Sequence, residues 1–131
     1  MDKVELSWKE GMEFKAQSEG GIEVSIDGQK EQGPNPPEIF LMGLSSCASI
    51  HLTMILEKMR VEIDDLEVVV NGQRREESPR YFANIKLEFI IYGEELPEDK
   101  LENALKLAAK NCGMWQSIRP DTEISYSYEV K

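Results

Sequence analysis

Hydrophobic and polar positions change rhythm several times along this chain, and each change marks an element. Val4-Glu5-Leu6-Ser7-Trp8, Met12-Glu13-Phe14-Lys15-Ala16 and Ile22-Glu23-Val24-Ser25-Ile26 put apolar residues at every second position, the period of a half-buried strand. Lys9-Glu10-Gly11, Gly20-Gly21 and Asp27-Gly28 punctuate these segments, so three antiparallel strands in a meander are predicted. After a polar loop from Gln29 to Gly33, the pattern turns helical from Pro36 to Met59. Asn35 is placed to be the N-cap, Pro36 suits the first helical position, and Glu38 completes a capping box with Asn35.

A helix of that length is about 35 Å long at about 1.5 Å per residue, the width of a small domain, which makes it the central helix. Its first half is apolar on nearly every side, more than one curved sheet can cover. A partner surface is therefore expected, most simply a second copy of the chain. Beyond it, Leu66 to Gly72 and Tyr81 to Tyr92 read as strands, with Arg74 to Arg80 as an exposed hairpin end. A second helix begins over Gly93-Glu94-Glu95-Leu96-Pro97-Glu98-Asp99, whose acidic residues suit the positive end of its dipole. It carries the stripe Leu101, Ala104, Leu105 and Ala108 up to Cys112, and Gly113 is its natural stop. A short turn over Met114 to Ile118 and a last strand over Thr122 to Val130 complete the order β-β-β-α-β-β-α-β. That order predicts a single α+β domain, residues 1–131, with mostly antiparallel pairing.

Composition narrows the function classes. A net charge of −10 argues against a nucleic-acid partner, since phosphate contacts need clustered Lys and Arg. The clustered basic stretch, Gln73-Arg74-Arg75, runs at once into Glu76-Glu77 and reads as a solvated strand end. The apolar run from Ile39 to Ile50 is too short to span a bilayer, and the MDKVELSW start has no signal-peptide pattern, so no membrane association and a cytoplasmic location are expected. In that compartment the two cysteines read as free thiols or a redox pair, and with His51 the only histidine they are too few for zinc.

Cys47 lies inside the long helix, and His51, four residues later, shares its face. A protonated or hydrogen-bonded His51 favours the Cys47 thiolate, which is the nucleophilic form; equally, Cys47 fits as a small core residue and His51 as a satisfied boundary group. Glu38 is a candidate site carboxylate and also the cap partner of Asn35, and nine residues place it on the side of an ideal helix opposite Cys47. Cys112, at a helix C-terminus, sits at the negative end of the dipole, which suits a resolving rather than an attacking thiol. Met114 and Trp115 after it can wall an apolar pocket or simply be core.

Gly33-Pro34-Asn35-Pro36-Pro37-Glu38 through Leu44-Ser45-Ser46-Cys47, followed by a helix ending Ala109-Lys110-Asn111-Cys112, resembles the OsmC/organic hydroperoxide resistance family, and within it the YhfA-like branch. The resemblance implies an OsmC-like fold, with antiparallel sheets around a long central helix, as an intertwined homodimer with two interface sites. It implies a cysteine-based peroxidase acting in oxidative stress, an oxidoreductase that reduces small organic hydroperoxides and is recycled by a dithiol reductant, with no metal and no bound cofactor. Carried over by position, Cys47 is the peroxidatic cysteine and Cys112 the resolving one, which traps the sulfenic acid before it over-oxidises. The family's peroxidases also use an arginine from the N-terminal region and a glutamate one position before Glu38. Here there is no arginine before Arg60, and Pro37 stands at that glutamate's place, leaving Lys15, His51 or a residue of the second subunit as activators. The alternative is a non-catalytic OsmC-like dimer that binds a small apolar or electrophilic ligand in its interface pocket.

Overall fold

The computed structural model describes residues 1–131 in nine elements: β1 (Val4–Glu10), β2 (Glu13–Ser18), β3 (Glu23–Asp27), α1 (Pro36–Lys58), β4 (Asp65–Arg74), β5 (Phe82–Tyr92), α2 (Glu98–Asn111), α3 (Gly113–Gln116) and β6 (Glu123–Val130). The alternating segments fold as strands and the two periodic segments as helices, giving the α+β class. The chain divides into two compact units, Met1–Met42 and Gly43–Lys131, with α1 running from the first into the second.

In the first unit β1, β2 and β3 form the predicted antiparallel meander. Its register pairs Leu6 with Ala16, Trp8 with Phe14, and Phe14 with Ile26, so the apolar alternation collects on one face. That face is incompletely covered: Val4, Leu6 and Trp8 are 65%, 58% and 65% exposed, far above what a finished core leaves open. The loop from β3 to α1 is held by Asp27, a buried carboxylate that accepts from the backbone N–H groups of Gln29 (2.9 Å) and Gln32 (3.0 Å). These donors hold its carboxyl below the usual range. Gly33 ends the loop under the sheet, where a Cβ would lie 2.2 Å from the Ser25 carbonyl oxygen.

α1 begins as its sequence predicts. The Asn35 side chain accepts from Glu38 N–H at 3.0 Å, and Glu38 accepts from Asn35 N–H at 3.1 Å, a reciprocal capping box. In the second unit the helix buries Leu44, Ala48, Leu52 and Leu56, a stripe with a repeat of four residues, while Ile50 and Met54 remain exposed. It ends in a Schellman motif: Arg60 N–H donates to Glu57 O, Val61 N–H donates to Leu56 O, and Arg60 takes the left-handed φ of 58° usually left to glycine. Arg60→Gly removes that strain, and we expect thermal denaturation to show a gain of about 0.5 to 1 kcal/mol.

By length and composition α1 is long and apolar enough to cross a membrane, with 22% of its most apolar window buried in the chain. The expectation that no run here reaches that length rested on Ile39 to Ile50 alone; the helix carries the apolar pattern on through Leu52, Ile55 and Leu56.

The second sheet has β5 at its centre, antiparallel to β4 and parallel to β6. The parallel pair is possible because α2 lies between β5 and β6 in sequence, giving the chain length to cross over. Ile85, Leu87, Phe89 and Ile91 of β5 and Leu101, Ala104, Leu105 and Ala108 of α2 are all buried and form most of this unit's core. Gly113 is not the stop of α2. The helix ends because Cys112 turns extended (φ −72°, ψ 112°), and Gly113 opens α3.

Candidate active site

The two cysteines come together in the second unit. Cys47 is a free, half-buried thiol in mid-helix, directly before Ala48 of the buried stripe; Cys112 is a free thiol with no exposed surface. The Cys47 side chain lies close enough to Cys112 to raise its pKa. Two thiols 65 positions apart in sequence therefore influence one another, one of them half-buried and the other enclosed.

Cys112 is fixed from three directions. Its N–H donates to Ala108 O at 3.0 Å, its carbonyl accepts from Gln116 N–H at 3.0 Å, and its Sγ accepts from Trp115 N–H at 3.4 Å. It is thus both the C-cap of α2 and the N-cap of α3. This revises the dipole expectation, since the sulfur faces amide N–H donors rather than only the carbonyl end of α2. Its thiol is nonetheless pushed up, first by burial and then by the neighbouring Cys47 side chain, against the smaller pull of the Trp115 and Met114 amides.

The remaining candidates have separate surroundings. His51 is half-buried, and no hydrogen bond joins its ring to either cysteine. Glu38 spends one oxygen on Asn35 N–H and the other on Lys30 Nζ at 3.4 Å. The first of these contacts is the larger cause of its lowered pKa. Lys15 is half-buried on β2, and its Nζ donates to Ser25 Oγ at 2.6 Å. In the first unit a groove of about 660 Å³ is lined by apolar groups including Leu6, Met12, Phe14, Ile26, Ile39 and Phe40.

Three features went unnoticed in the sequence. Asp27 organises the loop before α1, for which the Asp27-Gly28 pair was the available signal, an Asx-type turn former. Trp115 and Tyr126 meet edge to face with ring centres 6.0 Å apart, and Tyr126 meets Phe89 likewise at 6.4 Å. The basic hairpin end is more ordered than a solvated strand end: the Arg119 and Arg75 guanidiniums lie 3.6 and 4.8 Å from the Tyr81 ring centre.

The arrangement has relatives. Residues 28–127 match the family described as OsmC-like protein. Protein YhfA of Escherichia coli strain K12 is 35% identical over 127 residues, 95% of each chain. A crystal structure of a protein from Aquifex aeolicus VF5 superposes with a TM-score of 0.90 at 30% identity, covering 100% of this chain and 96% of that one. The organic hydroperoxide resistance protein OhrB of Bacillus subtilis shares the fold, with a TM-score of 0.65 at 22% identity over 100% of this chain and 98% of its own. A family match across most of the sequence and a relative matched over 95% of each chain agree: the chain belongs to the OsmC-like family.

Proposed function

We propose that this protein is a cytoplasmic, thiol-dependent peroxidase that reduces small organic hydroperoxides through Cys47 and Cys112. The observation that carries the reading is an enclosed Cys112 whose thiol is pushed up in part by a neighbouring, half-open Cys47. The Cys47 thiolate attacks the terminal peroxide oxygen, the S–O bond forms as the O–O bond breaks, and the leaving alkoxide takes a proton to become the alcohol. Cys112 then attacks the sulfenic sulfur, water departs, and a Cys47–Cys112 disulfide remains for a dithiol to reduce. His51, one turn beyond Cys47, is the residue we assign to assist the thiolate; Glu38, held by Asn35 and Lys30, is assigned to capping α1. Titrating the reduced protein with one equivalent of cumene hydroperoxide tests this. Rapid loss of both thiols is expected, and loss no faster than that of free cysteine would sink it.

The raised Cys112 pKa gives the second step a pH dependence. The protonated thiol is the favoured folded form, so the attacking thiolate is scarce at neutral pH and grows about tenfold per pH unit until the raised value is reached. Disulfide formation from the sulfenic acid should therefore accelerate through the ordinary thiol range and beyond it. Stopped-flow kinetics at several pH values check this, and a rate independent of pH between 6 and about 9 would contradict it.

We further propose that residues 1–131 act as one domain and that two copies associate. The open apolar side chains Leu6, Trp8, Phe40, Ile50 and Met54 support a homodimer, because surface of this kind is stable in water when another protein covers it. Sedimentation should give about twice the 15.0 kDa chain mass. A second reading, a non-catalytic dimer that binds a small apolar or electrophilic ligand, is favoured by the 660 Å³ apolar groove and by the lack of any arginine before Arg60. Thiols that persist under hydroperoxide, with a fluorescent fatty acid binding tightly, would select it.

A further inference from the structure

The first unit has almost no core of its own. Ala16 is the only apolar residue of Met1–Met42 that is buried, whereas fourteen others are buried in Gly43–Lys131. A unit of about 40 residues that buries so little lies at the size where a fold usually needs outside support. Its apolar side chains are nevertheless gathered together. The rows Leu6–Ala16–Val24 and Trp8–Phe14–Ile26 cross the meander on one face, and Val4 and Ile22 continue that face by their two-residue phase with Leu6 and Val24. Val4, Leu6, Trp8, Ile22 and Val24 are between 43% and 70% exposed, and Met12, in the β1–β2 turn, is 57% exposed. The Trp8 indole N–H is spent on Gly11 O at 3.0 Å, so the ring offers its surroundings apolar surface alone.

We infer that a second copy of this chain completes the core of the meander: the apolar face of one copy seats on the exposed Ile50 and Met54 of the other copy's α1, and the first unit keeps its fold only while that contact lasts. The area fits such an occupant, because six side chains exposed to this degree offer roughly 700 Å², close to the about 800 Å² that each partner gives to a standard interface. The chain also carries the complement. Ile50 and Met54 lie one turn apart on α1 in the second unit and are 58% and 49% exposed. A two-fold axis that sets the meander of each copy on the α1 of the other covers both patches at once, so the assembly closes at two. A net charge of −10 disfavours an anionic membrane as the occupant. The inference rests on the homodimer proposed above and adds that folding of the first unit is coupled to it.

Hydrogen exchange on the full chain, read beside sedimentation, tests the coupling. In the micromolar dimer the amides of β2, the central strand of the meander, should be protected. Leu6→Glu and Ile50→Glu should each give a monomer whose β2 amides exchange at least about 100-fold faster, although Ile50 belongs to the other unit. Amides of residues 87–91 and 101–108 should keep their wild-type rates, which separates this outcome from general misfolding. Dilution of the wild type to nanomolar concentration should produce the same selective loss without any substitution. Ser7→Glu brings the same charge to the opposite face of β1, across from Lys15, and should change neither mass nor exchange. A monomeric variant that still protects β2 at the wild-type rate overturns the inference and leaves the homodimer reading standing, as does a dimer that survives Leu6→Glu or Ile50→Glu. A wild-type chain that stays monomeric at millimolar concentration overturns both. Protection of β2 gained by that monomer on vesicles of phosphatidylcholine and phosphatidylglycerol would assign the face to a membrane instead.

Discussion

Cys47→Ser is expected to reduce hydroperoxide turnover by at least about 100-fold, since it removes the nucleophile itself. Cys112→Ser should behave differently, and the difference follows from exposure. Cys47 is the half-open thiol and meets the peroxide first; Cys112 has no exposed surface and meets only Cys47. The Cys112→Ser protein should thus complete one oxidation, stop at a Cys47 sulfenic acid that dimedone captures, and drift to sulfinic acid with more peroxide. A Cys112→Ser protein that forms no dimedone adduct, or a Cys47→Ser protein that keeps its activity, means that the roles are assigned wrongly.

Leu52→Ala should cost about 3 kcal/mol and lower the melting temperature by about 10 °C. Leu52 is 0% exposed, at the middle of the stripe that α1 buries within the second unit, between Ala48 and Leu56. Small neighbours such as Ala48 cannot swing in to fill the space, so a cavity term adds to the lost transfer energy. The contrast is Ile50, two residues earlier on the same helix and 58% exposed. Ile50→Ala should leave the fold's intrinsic stability within about 0.5 kcal/mol and act, if it acts, through self-association. Chemical denaturation at two protein concentrations separates the two effects, and a Leu52→Ala cost below about 1 kcal/mol would show that the stripe is not core.

These two residues also show what was legible in the sequence and what was not. Strand alternation located the six strands and the 3.6-residue stripe located the body of α2, because both are consequences of one-sided burial; α1 was legible from its cap and length, and α3 only as a short turn. The Asn35 to Glu38 capping box was legible too, since it is a contact between near neighbours. The surplus of apolar residues on α1 was visible, but which of them the chain itself covers was not: Leu52 and Ile50 look alike in a sequence. The same surplus makes α1 resemble a membrane span, and membership of the OsmC-like family identifies it instead as a core helix of that fold. The parallel pairing of β6 with β5 depends on where α2 delivers the chain, a long-range outcome that local pattern does not encode. The double role of Cys112 was hidden for a related reason. An extended residue between two helices is set by how its sulfur and backbone are satisfied, and Gly113 was the more conspicuous signal beside it.

The proposed function requires Cys47 and Cys112 to form a covalent pair in response to hydroperoxide. The most direct test is peptide mapping by mass spectrometry after one equivalent of cumene hydroperoxide is added to the reduced protein and the remaining thiols are alkylated. The prediction is a single cross-linked species joining the peptides of Cys47 and Cys112, released by dithiothreitol. Recovery of both cysteines in alkylated form, or of Cys47 as sulfinic acid beside an intact Cys112 thiol, would contradict it.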